Sequence, residues 1–411
     1  MANVIAIGEL ASLKPTTSNV ESVRGALASG AVASGEISAF SEWLNWAESD
    51  GVRAVLQLGA LKHAQQLGPF QSGVRELMRC GEALRGRFPL QARRGQRTQL
   101  VDGIVASDDQ RALVAMAPIR DSLYGSVKAC ALFPPPRGDE VRSLDPRRYV
   151  KTAVKFYRRD YVSQGMTRHG VRVEENPFVE IALLRVLNHA NIVGLIDCFY
   201  TPKYLVAAFD FIDNGELFDL VANNGPRQIP EARRMFRIMA EVMQFCHRNG
   251  IAHRDISLEN YMVTRDMQPI LIDFGLAYVM ALDEEANGGR GAWRNIPHTG
   301  RVGKLVYFAP EMYNVDHFHT SYSGEAVDTW CLGVSLFVLI VGAPPWDVPG
   351  VTDDRFERIV NGRDLAGLLA EWNVSIPESS IRLMQNILHG DWTQRPSLDD
   401  ILASDFIAIG S

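Results

Sequence analysis

The apolar positions of this chain follow two different periods, and the change falls near residue 110. From Val20 to about Arg87 they recur at helical spacing. Ile37, Phe40, Trp43, Leu44 and Trp46 place several side chains on one face, Val52, Val55, Leu56, Leu58 and Leu61 repeat the period, and Val74, Leu77, Met78 and Leu84 do so again. Gly51 and Gly68-Pro69 break the pattern between helices. The reading is a small all-α accessory region over residues 20–88, of about three or four helices, whose aromatic stripe forms core rather than a binding face. Residues 1–19 carry Pro15 and little periodicity and are expected to be flexible.

Beyond residue 109 the texture changes. Residues 112–132 read as two strands around a turn at Tyr124-Gly125, and the alternation in Tyr-Val-Lys-Thr-Ala-Val-Lys-Phe makes residues 150–157 a third. Pro177 to Leu187 is helical, Leu205 to Phe211 is strand leading to a turn at Gly215, and the remainder is mostly helical. Residues 89–109 read as a linker. The stretch from Arg85 to Arg97 holds Arg85, Arg87, Arg93, Arg94 and Arg97, either a solvated linker or a basic segment that docks on an acidic cleft and inhibits, with Thr98 as a phosphorylation candidate.

Composition narrows the class. A chain of 411 residues with 46% apolar and 22% charged residues is ordinary for a globular protein, and its net charge of −6 argues against a dedicated nucleic-acid binder. Five scattered cysteines show no zinc-ligand spacing, and their odd number suits a reducing compartment, cytoplasmic or nucleocytoplasmic. The first residues lack a basic region and a long apolar core, so no signal peptide is expected. The most apolar run, Cys331 to Ala343, is too short to span a bilayer and ends in Pro344-Pro345, so no membrane span is expected.

The chemistry is concentrated in His253-Arg254-Asp255-Ile256-Ser257-Leu258-Glu259-Asn260, followed by Asp273-Phe274-Gly275. An aspartate able to accept a hydroxyl proton is followed five residues later by an amide able to ligate metal, and then by a second metal-binding carboxylate. Upstream, Lys155 ends Thr-Ala-Val-Lys, and Glu180 lies in Phe-Val-Glu-Ile-Ala-Leu-Leu. Downstream come Ala309-Pro310-Glu311, Asp328-Thr329-Trp330-Cys331-Leu332-Gly333 and Arg395-Pro396. In this order the motifs resemble those of the eukaryotic-type protein kinase superfamily, over residues 110–411.

That resemblance implies an α+β, bilobal fold: a small antiparallel sheet lobe with one helix, then a larger, mostly helical lobe. It implies ATP and Mg2+ as cofactors and serine/threonine hydroxyls of proteins as substrates. Asp255 would be the catalytic base, Lys155 would hold the α- and β-phosphates, and Glu180 would fix that lysine. Asn260 and Asp273 would bind metal. Val127 and Ala153 would sandwich adenine, with Phe209, Asp210, Ile212 and Glu216 completing the nucleotide site. Glu311 would pair with Arg395, and Asp328 would hold the backbone of the catalytic loop.

Four departures from the family pattern stand out. Of the glycine-rich loop only Gly125 remains, in Arg120-Asp121-Ser122-Leu123-Tyr124-Gly125-Ser126-Val127, which is expected to weaken ATP affinity without abolishing it. The insertion Pro134-Pro135-Pro136 to Arg148 reads as a surface loop. Ser257 replaces the usual catalytic-loop lysine and Lys304 the usual threonine downstream. The two side chains are expected to exchange roles, the Lys304 ammonium bonding Ser257 Oγ, against the alternative of an exposed lysine and a simple loss. The segment after Asp273 is long, with an acidic stretch Asp283-Glu284-Glu285 and Gly288-Gly289. Arg254 before the base suggests activation by an upstream kinase at Thr299, and Glu216 and Glu259 suggest a preference for basic substrates. A pseudokinase, binding nucleotide as a scaffold, is the rival reading. A small-molecule kinase of related fold is a second rival, and Ala309-Pro310-Glu311 and the Asp328 motif speak for protein substrates instead.

Overall fold

The computed structural model describes residues 21–24, 103–105, 112–133, 149–164, 175–185, 187–200, 204–283, 292–298, 300–313 and 320–408. Of the expected helical region 20–88, only the turn at residues 21–24 is described, with Val23 buried. The arginines of residues 85–97, Thr98, the insertion from Pro134 to Arg148, the acidic stretch after Asp283 and Thr299 lie outside the described residues. Two compact units emerge, one drawn from Leu67–Arg185 and Val193–Asp213, the other from Met1–Gln66, Val186–Ile192 and Asn214–Ser411.

The first unit is built on a six-stranded antiparallel sheet: β1 (Gly103–Val105), β2 (Ala112–Ser122), β3 (Gly125–Phe133), β4 (Val150–Arg158), β5 (Leu195–Tyr200) and β6 (Tyr204–Asp210), in the order β1-β2-β3-β4-β6-β5. Side chains alternate across a strand, so the sheet has two distinct faces. One carries an apolar core of Leu113, Cys130, Leu132, Val154, Phe156, Val206 and Ala208. On the other, the register pairs Val127 with Lys155 and Ala153 with Phe209, which puts these four residues on one face. Among its described residues this unit has the helices α1 (Arg159–Gln164) and α2 (Pro177–Leu184). Asn176 caps α2, its side-chain oxygen accepting from Phe178 N at 3.0 Å and Val179 N at 3.4 Å, and Pro177 suits the first helical position.

Two local expectations are corrected here. Gly103–Val105 falls in the stretch read as linker, yet it pairs with Ala112–Val114 as the edge strand. The turn between β2 and β3 lies at Leu123-Tyr124, one residue earlier than expected, because Ser122 pairs with Gly125 and closes a two-residue hairpin. Tyr124 is buried there, and its hydroxyl donates to Glu175 O at 2.8 Å. Gly125 owes its identity to packing: a Cβ on it would sit 1.8 Å from Phe156 O of the neighbouring strand. Gly125→Ala is expected to lower unfolding stability by about 1–3 kcal/mol, as overpacking does, and the denaturant midpoint measures it.

The second unit is mostly helical. Its elements include α3 (Leu217–Asn224), α4 (Ile229–Arg248), α5 (Pro310–Tyr313) and α6 (Gly324–Val341). Ser323 caps α6 by accepting from Ala326 N at 3.2 Å. The apolar run read from the sequence thus lies, up to Val341, in an 18-residue helix, long and apolar enough to cross a membrane by length and mean hydropathy (1.6) alone. However, 83% of it is buried inside the unit, as expected of a core helix. Its Trp330 packs near Trp346 (ring centroids 5.5 Å), which meets Phe356 edge-on at 4.9 Å. The expected Glu311–Arg395 pair is present and bidentate, at 2.6 and 2.7 Å, with both side chains buried.

Candidate active site

On the sheet unit, the period of β4 turns Lys155 and Tyr157 to the face opposite the apolar core. Glu180, in the first turn of α2, meets both: Lys155 Nζ donates to Oε1 at 2.6 Å, and the Tyr157 hydroxyl donates to Oε2. The carboxylate is 1% exposed, so it is a buried charge that the lysine compensates. Lys155 Nζ also lies 5.7 Å from the centre of the Phe209 ring, within cation–π range. Asp210 and Ile212 follow at the exit of β6. Asp210 is exposed, and its backbone N–H is bound to Gly194 O at 3.1 Å.

On the helical unit, Asp328 of α6 organises the loop that carries Asp255. One of its oxygens accepts from His253 N (2.8 Å) and contacts His247 Nε2 (2.9 Å), and the other accepts from Arg254 N (2.7 Å). Arg254 is driven to φ 65, in the left-handed region, and its guanidinium is held by Leu276 O and the Tyr322 hydroxyl. His253 Nδ1 accepts from Asp255 N at 3.3 Å, which places the ring proton on Nε2, facing Ile272 O at 3.3 Å. Burial pushes the His253 pKa down, outweighing the nearby Asp328, Asp255 and Asp273, so the ring stays neutral. Phe274 is fully buried and packs edge-on against that ring at 4.8 Å.

An amide and an ammonium, from Asn260 and Lys304, meet on the Asp255 carboxylate. Asn260 Nδ2 donates to Asp255 O and to Asp255 Oδ2, each at 2.7 Å. Lys304 Nζ donates to the same Oδ2 and to Ser257 Oγ, each at 2.9 Å. Asp255 Oδ1 is buried and makes no hydrogen bond. One oxygen of the carboxylate is therefore saturated by a cation and an amide, while the other keeps its lone pairs. Gly303 permits this approach: it sits at φ 103, and a Cβ there would be 2.9 Å from Arg254 O. Asn260 commits its amide nitrogen to Asp255, which leaves its carbonyl oxygen for a cation, and Asp273, held at φ 66 and ψ 74, supplies a carboxylate. Two hard oxygen donors suit Mg2+, whose remaining ligands are commonly water and phosphate.

Sequence reasoning anticipated the Lys155–Glu180 pair, the Lys304–Ser257 contact and the hold of Asp328 on the loop. It missed Tyr157. The signal was available in its place two residues beyond Lys155, on the same face of the strand. It also missed the direct bond from Lys304 to Asp255. Of the two glutamates expected to read basic residues, Glu216 precedes α3 and bridges to Met262, while Glu259 is half-buried with Oε2 unbonded.

The comparisons agree with this geometry. A family model described as protein kinase domain matches residues 144–407. A probable serine/threonine-protein kinase KIN1 homolog of Enterocytozoon bieneusi is 30% identical over 231 residues, 56% of this chain and 35% of that protein. Serine/threonine-protein kinase SIK1 of Mus musculus is 32% identical over 189 residues, 46% of this chain and 22% of the relative. CBL-interacting serine/threonine-protein kinase 16 of Arabidopsis thaliana is 33% identical over 196 residues, 47% and 39% of the two chains. This chain thus spans less than half the length of these relatives.

Proposed function

Because the chain belongs to the protein kinase domain family, we propose that it transfers the γ-phosphoryl group of ATP to serine and threonine hydroxyls of protein substrates, with Mg2+ and with Asp255 as base. The observation that carries this reading is the asymmetric Asp255 carboxylate, Oδ2 saturated by Asn260 and Lys304 and Oδ1 buried with no hydrogen bond. Oδ1 accepts the proton of the substrate hydroxyl as its oxygen bonds to the γ-phosphorus. The bond from that phosphorus to the β–γ bridging oxygen breaks, and ADP leaves with the bridging electrons. Lys155 takes the α- and β-phosphates, with Glu180 fixing its amine. Asn260 and Asp273 would hold the magnesium, which would supply positive charge to offset that of the phosphates.

Lys304 supplies the positive charge that the catalytic loop lacks at Ser257, in line with its bonds to both Ser257 and Asp255. Glu216 and Glu259 favour a basic residue upstream of the target hydroxyl. Thr299 is the candidate for an upstream kinase, with Arg254 as the partner of its phosphate. Among the described residues, Cys130, Cys198, Cys246 and Cys331 are buried and form no disulfide, which suits a reducing compartment, and the cytoplasm is the proposed location.

A second reading, a nucleotide-binding pseudokinase, draws on the closed hairpin at Ser122–Gly125, where the family's glycines are replaced. Labelled ATP and a generic basic protein separate the two. The expected result is transfer with Mg2+, none with a chelator, and label on phosphoserine and phosphothreonine. Bound nucleotide without transfer would favour the scaffold, and label on phosphotyrosine would overturn the substrate class.

A further inference from the structure

We propose that Tyr157 is a positioning residue for phosphoryl transfer: its hydroxyl holds one oxygen of Glu180 so that the other presents a fixed acceptor to Lys155. The proposal rests on the reading of Lys155 as the phosphate-binding lysine. Nothing in the motifs marks Tyr157; its place on the strand does. Strand alternation sends the side chains of residues 155 and 157 to one face, and the first turn of α2 brings Glu180 onto both. Tyr157 is fully buried and Glu180 is 1% exposed, so water does not compete for the carboxylate. The phenol donates to Oε2 while the ammonium donates to Oε1 at 2.6 Å.

A phenol suits this task. Being neutral, it does not compete with Lys155 as a counter-charge, and as a donor it favours the ionised carboxylate. A carboxylate held at one oxygen by a flexible amine can turn about its terminal torsion, which is broad and roughly two-fold. Held at both oxygens, it has one orientation. The donor is itself rigid. The backbone of β4 is pinned where Arg158 N donates to Tyr124 O at 2.8 Å, and the Tyr124 hydroxyl reaches Glu175 O at 2.8 Å, at the entrance to α2. The hairpin tip, the tyrosine's strand and the start of the glutamate's helix are thereby joined by hydrogen bonds.

Tyr157→Phe keeps the ring and removes only the donor. Oε2 then loses its phenol donor, and the hold on the carboxylate beside Lys155 is weakened. The expected result is a rise of ~10-fold in the Kd and KM for ATP, the size of one hydrogen bond to a charged group, with the KM for protein substrate unchanged. If the hydroxyl acts through Glu180, the same change in a Glu180→Gln background adds less than about twofold. Both comparisons are made at a temperature where all variants are folded, and nucleotide affinity is measured directly by calorimetry as well as through turnover. A tyrosine that merely filled the core would lower the melting temperature and leave the ATP terms and the cycle additive. That outcome, or an unchanged Kd for ATP in Tyr157→Phe, overturns the proposal. Lys155→Met in parallel separates the two levels. If it weakens ATP binding while Tyr157→Phe does not, only the role of Tyr157 falls. If it too leaves binding unchanged, the reading of Lys155 falls, and the role of Tyr157 with it.

Discussion

Asp255→Asn is expected to cut phosphoryl transfer by ~10²- to 10⁴-fold while leaving ATP affinity within about twofold, the span that general-base catalysis commands. The donors around the carboxylate make the effect severe. Asn260 Nδ2 and Lys304 Nζ both point at Oδ2, so an amide in this position must turn its carbonyl oxygen to them. Its NH2 then takes the place of Oδ1. The atom facing a substrate hydroxyl changes from an acceptor to a donor, so the variant both lacks the base and repels the proton it should take. The backbone contacts that hold the loop run through Asp328 and are untouched, so the fold should survive. Initial rates with labelled ATP and nucleotide binding by calorimetry provide the check. A variant that keeps more than a tenth of its turnover would remove Asp255 from the role of base.

Lys304→Ala is expected to lower kcat by ~10²- to 10³-fold, the loss that follows removal of one preorganised donor to developing charge. Its ammonium is 2.9 Å from both Ser257 Oγ and Asp255 Oδ2, and its side chain is about one-third exposed (34%), so it is held by its partners more than by burial. Removing it leaves Asp255 without its neighbouring cation. The double change Ser257→Lys with Lys304→Thr returns the arrangement usual in the family and should recover part of the rate. Steady-state kinetics of both variants decide the matter: an unchanged kcat in Lys304→Ala sinks the exchange of roles.

Much of this was legible in the sequence because the chemistry fixes spacing. Asp255 and Asn260 belong to one loop, and five residues apart is the distance at which an amide folds back onto the aspartate it follows. Alternation marks residues 150–157 as a strand, but Lys155 itself and the Glu311–Arg395 pair, 84 residues apart, are legible only through the resemblance. What stayed hidden depended on neighbours that no local pattern reports. Gly125 reads as the remnant of a phosphate-binding loop, whereas its constraint is the carbonyl of Phe156 on the next strand. Gly103–Val105 has too few residues to show a period, and its strand character comes from the partner at Ala112–Val114. Tyr157 is an ordinary aromatic strand residue until α2 brings a carboxylate to it.

The origin of the cation beside Asp255 has a consequence for control. A lysine carried on the catalytic loop would be at its post whenever the loop is folded. Lys304 instead arrives from a stretch 49 residues away in the chain, one that also places Tyr307 on Leu258 N and Val306 on Trp346. Positive charge beside Asp255 and order in that stretch are therefore one event. An enzyme wired in this way has no half-armed state: protease protection of residues 300–308 and turnover should rise and fall along the same temperature curve.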